Sequence, residues 1–78
     1  MAKITIYSTP SCMYCKMAKE FFTKNNIAYS EHDIAVDDAA RDEMLAKSGQ
    51  MGVPVIDIDG KIVVGFDRGA IEAALGMK

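Results

Sequence analysis

The chain has 78 residues, half of them hydrophobic, a net charge of −2, two cysteines and one histidine. That length suits one domain over residues 1–78, close to the lower limit for folding around a single core. The nine basic residues are scattered, which argues against a nucleic-acid partner. No apolar run reaches signal-peptide or membrane-span length, so a soluble, cytoplasmic monomer without membrane contact is expected.

Lys3 to Ser8 alternates Ile4, Ile6 and Ser8 against Thr5 and Tyr7, with β-branched residues on both faces, as in a central strand. Thr9-Pro10-Ser11 ends it. From Cys12 to Asn25 the apolar residues Tyr14, Met17, Ala18, Phe21 and Phe22 recur at helical spacing. Ile27 to Ile34 reads as a second strand, polar enough at Ser30, Glu31 and His32 to lie at an edge. A second helix over Ala39 to Ser48 has Asp37-Asp38 at its front, Lys47 at its back and Gly49 to close it.

Val55 to Ile58, Asp59-Gly60 and Lys61 to Val64 form a hairpin signal with a tight turn. Asp67 caps a last helix that turns Ile71, Ala74 and Leu75 inward. The order β-α-β-α-β-β-α, with a right-handed crossover between the first two strands, predicts an α/β fold: a four-stranded mixed sheet flanked by three helices.

Cys12-Met13-Tyr14-Cys15 holds both cysteines at a strand-to-helix junction. Thiolates are the nucleophiles of disulfide exchange, and free amide groups at a helix start stabilise negative charge. Cys12 is therefore the expected attacking sulfur. Cys15, one turn behind, is placed to displace whatever Cys12 captures. Tyr14 can shield the pair or pack against bound thiol, and Lys16, four residues after Cys12, can support its anion.

Other uses of the pair stay open. Structural zinc needs a full tetrahedral ligand set, and His32, read as a surface residue, is the one further soft ligand. An iron–sulfur cluster or metal shared across a dimer would use the same two sulfurs, making the chain a carrier module. A disulfide closing so short a loop restrains the unfolded chain little. Met13, Met17, Met44 and Met51 read as core filler, with Met13 and Met51 bordering the cysteines.

Beyond the motif, the chain resembles the glutaredoxin family along its length. The matching residues are Ile6-Tyr7-Ser8 before Cys12-Met13-Tyr14-Cys15-Lys16-Met17-Ala18-Lys19, then Arg41-Asp42-Glu43-Met44, Ser48-Gly49, Val53-Pro54, and Gly65 with Asp67. The resemblance implies a thioredoxin fold and a dithiol–disulfide oxidoreductase that reduces protein or glutathione-mixed disulfides with no bound cofactor. It also implies a cis Val53–Pro54 bond facing the cysteines, with the Val53 backbone pairing with substrate as an added strand does. Gln50, Phe66 and Asp67 fall at the family's thiol-binding positions.

Departures from the family pattern bear on the reductant. Positions that commonly carry cations for glutathione's carboxylates hold Thr9 and Gln50, and a paired aspartate becomes Asp67-Arg68. Each lost charge-assisted bond is worth about 1.5–3 kcal/mol, so weak coupling to glutathione is expected. Gly65-Phe66 is similar to a step in NrdH-type redoxins, which implies thioredoxin reductase as electron source and ribonucleotide reductase as a possible acceptor.

Overall fold

The computed structural model describes residues 3–76. Its elements are β1 (Ile4–Ser8), α1 (Met13–Lys24), β2 (Ser30–Asp33), α2 (Asp38–Ser48), β3 (Val55–Ile58), β4 (Lys61–Val64) and α3 (Arg68–Leu75). The strands form one sheet in the order β2-β1-β3-β4. β1 runs parallel to β2, with Thr5 opposite Ser30, and antiparallel to β3, with Tyr7 opposite Val55. β3 and β4 close as an antiparallel hairpin. Asp59 and Gly60 at its tip both have positive φ, 52° and 89°, as a two-residue turn matching strand twist requires.

Alternation along β1 and β3 divides the core. Ile4, Ile6, Ile56 and Ile58 face one side and meet Ala18, Phe21 and Phe22 of α1 and Ile71 of α3. Tyr7 and Val55 face the other, against Ala40 and Met44 of α2 and Ile34. The sheet is thus covered on both faces, with α1 and α3 on one side and α2 on the other. Each helix starts on a side chain that accepts an orphan amide: Cys12 for α1, Asp37 for α2 and Asp67 for α3. Gly49 and Gly76 end α2 and α3 in the left-handed conformation.

Two expectations need correction. β2 is shorter than Ile27 to Ile34. The Ile27 amide closes the end of α1 by donating to Phe22 O at 2.8 Å, and Ile27 and Tyr29 pack against the α1 side of the core before pairing begins at Ser30. At the other end the chain turns around Asp33, whose side chain accepts the Ala35 amide. The methionines also divide: Met44 is buried, whereas Met13, Met17 and Met51 are exposed because α1 presents them away from its Ala18–Phe22 stripe and Met51 lies in the loop before Val53.

Beneath α2 lies a polar network with no counterpart in the sequence reading. Lys47 donates to Asp57 Oδ2 at 2.7 Å, to the Tyr7 hydroxyl at 3.0 Å and to Glu43 Oε1 at 3.3 Å. Buried Tyr7 donates to Glu43, and the His32 ring stacks on it at 5.6 Å. Burial drives the Tyr7 hydroxyl upward, reinforced by Glu43 and opposed by Lys47. For Asp57, burial opposes ionisation, but the Lys47 bond and the Gly60 amide outweigh it and hold the carboxyl below its ordinary value.

A carboxyl lowered in the fold contributes stability above its unfolded pKa and loses it as pH falls toward the folded value. Lys47→Met should therefore cost about 1–2 kcal/mol at pH 7, the pair being partly exposed. Below about pH 4 the variant should lose less further stability than the parent protein, since Asp57 is no longer depressed. Thermal or urea unfolding at both pH values measures this, and parallel losses in acid would contradict it.

Candidate functional site

The cysteines sit where β1 hands over to α1. Cys12 has extended backbone geometry, φ −86° and ψ 115°, and occupies the cap position usually held by Ser, Thr, Asp or Asn. Its Sγ accepts the Cys15 amide at 3.1 Å. Its own amide donates to Thr9 O and its carbonyl accepts from the Lys16 amide, so the loop and the first helical turn hold it from both sides. No acidic side chain lies in that turn. A sulfur anion at Cys12 thus faces helix amides without a competing carboxylate.

Cys15 differs in every respect. It is fully buried, and both thiols are free. Burial first, then a hydrogen bond to Cys12, push the Cys15 thiol up to about 12, with the Thr9 backbone and the Lys19 charge acting in the opposite direction. The pair is therefore polarised: one sulfur is partly exposed at a cap, and its neighbour is protonated and shielded. Among the described residues, no group of three or more His, Cys, Asp or Glu side chains is arranged to hold a metal ion. A cluster held by both cysteines of each chain would require Cys15 to leave its buried position.

Across from the cysteines, Val53–Pro54 is cis. The Val53 carbonyl lies 3.9 Å from Cys12 Sγ, and its amide has no partner among the described residues. Pro54 is buried and its carbonyl accepts the Gly65 amide at 2.7 Å, tying this loop to the end of β4. Tyr14, Val53, Pro54, Val64, Gly65, Phe66 and Asp67 line a groove of about 320 Å³ beside Cys12. Gly65, with φ +80°, turns the chain there.

The structure thus brings together Cys12, Cys15, Tyr14, Val53, Pro54, Phe66 and Asp67. Phe66 serves two sides, lining the groove and packing edge-on against Phe21 at 6.1 Å. Asp67 lines it while capping α3 through the Ala70 amide at 3.1 Å. Two other residues lie elsewhere. The Gln50 side chain folds onto its own loop, accepting the Gly52 amide at 2.6 Å and donating to Gly52 O at 3.0 Å. Lys16 lines a different groove, shared with Lys19, Glu20, Tyr29 and Glu31. Arg68, where the family has a second aspartate, pairs with Glu72 at 3.1 Å and covers the Phe21 ring.

Three residues behind the site were not singled out in the sequence. Ser8, the last residue of β1, is buried and donates to Glu31 Oε2 at 2.9 Å. The same oxygen accepts Lys19 Nζ at 2.7 Å. Lys19 stands four residues after Cys15, a helical spacing visible in the sequence, but its partner on β2 is set only by the register of Ile6 opposite Glu31.

Comparison with known proteins agrees with this geometry. The glutaredoxin family model matches residues 4–63. A glutaredoxin-like 8.6 kDa protein encoded in the rubredoxin operon of Clostridium pasteurianum is 48% identical over 69 residues, covering 88% of this chain and 92% of its own. Glutaredoxin 3 of Escherichia coli K12 is 36% identical over 67 residues, covering 86% and 81% of the two chains. The crystal structure of the thioredoxin-like protein BC3987 superposes with a TM-score of 0.86 at 38% identity, over 92% of this chain and 99% of that one. With its motif, its four-stranded sheet and these relatives in agreement, the chain belongs to the glutaredoxin family, and Cys12 and Cys15 are the dithiol of a thiol–disulfide redox protein.

Proposed function

We propose that this chain is a dithiol–disulfide oxidoreductase whose substrates are disulfide-bonded proteins, with Cys12 attacking and Cys15 resolving. The observation that carries this reading is the asymmetry of the two sulfurs: Cys12 caps the helix and receives the Cys15 amide, while Cys15 is buried and held protonated. In the first step the Cys12 thiolate bonds to one substrate sulfur and the other leaves as a thiolate. In the second, Cys15 bonds to Cys12, the captured sulfur departs, and the Cys15 proton passes to solvent. Two electrons reach the substrate and the protein is left as the Cys12–Cys15 disulfide. A dithiol that must be reduced again suits a reducing compartment such as the cytoplasm.

Extended peptide is the ligand form that suits the groove. The Val53 amide is free to pair with a strand, and its walls at Tyr14, Pro54, Val64 and Phe66 are apolar. Exposed Met13, Tyr14 and Met17 add apolar surface next to the motif on α1. Glutathione, small and anionic, finds less: Gln50 is committed to Gly52, Thr9 is neutral and Arg68 is paired with Glu72. The favoured electron source is accordingly thioredoxin reductase, with the disulfide of a protein such as ribonucleotide reductase as acceptor.

Insulin reduction should be abolished by Cys12→Ser. Cys15→Ser should lose turnover on protein disulfides yet still exchange with a low-molecular-weight mixed disulfide. Full activity in the Cys12→Ser variant, or a visible absorption band that chelation removes from the purified protein, would count against the proposal.

The reductant can be tested separately. Thioredoxin reductase with NADPH should sustain turnover at least about tenfold faster than glutathione with glutathione reductase, given two missing charge-assisted contacts. Restoring them with Thr9→Lys and Gln50→Lys together should raise glutathione-driven turnover by about an order of magnitude. Fast glutathione-driven turnover in the unaltered chain would contradict the assignment.

A further inference from the structure

Resolution by Cys15 poses a problem that the Cys12 site does not solve. The attacking species must be a thiolate, yet Cys15 is fully buried and burial disfavours its charge. The Cys15 amide is committed to Cys12 Sγ, and the Thr9 backbone that bonds the Cys15 thiol carries no net charge. Cys12 offers no charge at this stage either, because its sulfur is then neutral within the mixed disulfide. Some other group must compensate the anion as it forms.

Lys19 meets the requirement. It stands four residues after Cys15 on α1, hence on the same face one turn on. Its ammonium is anchored: Nζ donates to Glu31 Oε2 at 2.7 Å, and that oxygen also accepts the hydroxyl of buried Ser8 at 2.9 Å. Ser8 ends β1 immediately before Thr9, whose backbone contacts the Cys15 thiol. Three elements therefore converge on Glu31 Oε2, with Lys19 one helical turn from Cys15: α1 through Lys19, β1 through Ser8 and β2 through Glu31. Lys16, Glu20 and Tyr29 line the same groove as Lys19, and among the described residues Lys19 is the cation in it that is held by an ion pair.

We infer that Lys19, held in place by Glu31 and Ser8, is the electrostatic partner of Cys15 in the resolving step, acting on disulfide closure and not on capture of substrate by Cys12. This rests on the dithiol reading above. In the step itself the Cys15 S–H gives up its proton to solvent, the Cys15–Cys12 bond forms, the bond from Cys12 to the captured sulfur breaks, and that sulfur leaves with the electron pair. The Lys19 charge lowers the cost of the first event and keeps its own proton throughout. The Lys19 field opposes the burial of Cys15, and the bond to Glu31 keeps Lys19 itself charged above its ordinary range.

The size of the effect follows from opposing trends. Each pKa unit of lost support cuts the thiolate fraction about tenfold, but the less stabilised anion is about threefold more nucleophilic, so closure slows about three- to fourfold per unit.

A chromogenic aromatic disulfide separates the two steps in one stopped-flow trace. The first aryl thiolate released reports attack by Cys12 and the second reports closure by Cys15. Lys19→Met, with Lys19→Gln as a second neutral variant, should slow the second release more than the first, by about three- to fourfold for each pKa unit of support lost, and Lys19→Arg should restore the ratio. Equal slowing of both phases, or an unchanged ratio in both neutral variants, overturns the inference. If Cys12→Ser gives the first release at the parental rate, the dithiol reading itself fails, whereas a normal first phase with an unaltered ratio condemns the role of Lys19 alone.

Discussion

One hydrogen bond organises the chemistry of this molecule: the amide of Cys15 directed at the sulfur of Cys12. It exists because β1 ends at Ser8, a short loop turns the chain, and α1 begins with a cysteine in the cap position. An oxygen-bearing cap would satisfy the same amide and do no chemistry. With sulfur there, the unmet hydrogen-bonding capacity of a helix start becomes the means of holding a nucleophile. The fold behind it serves mainly to fix that junction, with Phe21, Phe22 and Ala18 pinning α1 to one face of the sheet and Tyr7 and Val55 sealing the other against α2.

The two thiols are chemically identical and physically opposite, and only their surroundings distinguish them. The cap position exposes Cys12 to substrate and to amides. One turn further along, Cys15 is enclosed by the core, where burial and contact with Cys12 keep its proton in place. Such division of labour prevents both sulfurs from competing for the same disulfide and orders the reaction in time. Two lysines illustrate how charge is held on opposite faces of the sheet. Lys47 ties α2 to Asp57 and Tyr7 on one face, while Lys19 ties α1 to Glu31 on the other.

Much of this was readable in the amino-acid order. The strand alternation of Ile4 and Ile6, the apolar stripe of Ala18, Phe21 and Phe22, the Asp59-Gly60 turn and the Asp67 cap each follow from local spacing or turn chemistry, and each element formed where expected. Local rules gave out where pairing decides. β2 begins three residues later than its composition suggests, because Ile27 is spent on closing α1 and Tyr29 on packing against Phe22. Met44 is buried as read, but Met13 and Met17 lie off the Ala18–Phe22 stripe of α1, and Met51 sits in a loop whose facing local spacing does not fix. Gln50 could be placed near the site by resemblance, but its capture by the Gly52 backbone depends on loop geometry. The Ser8–Glu31–Lys19 and Tyr7–Glu43–Lys47–Asp57 networks join residues distant in sequence, and only the strand register and helix docking bring them together.

The account depends on the difference between the two sulfurs, and alkylation of the reduced protein across a pH series, followed by peptide mass spectrometry, reads that difference directly. Cys12 should be modified well ahead of Cys15 from neutral into mildly alkaline pH, because Cys15 is fully buried and burial holds its proton in place. Modification of Cys15 alongside or ahead of Cys12 near neutral pH would contradict the assignment of attacking and resolving roles.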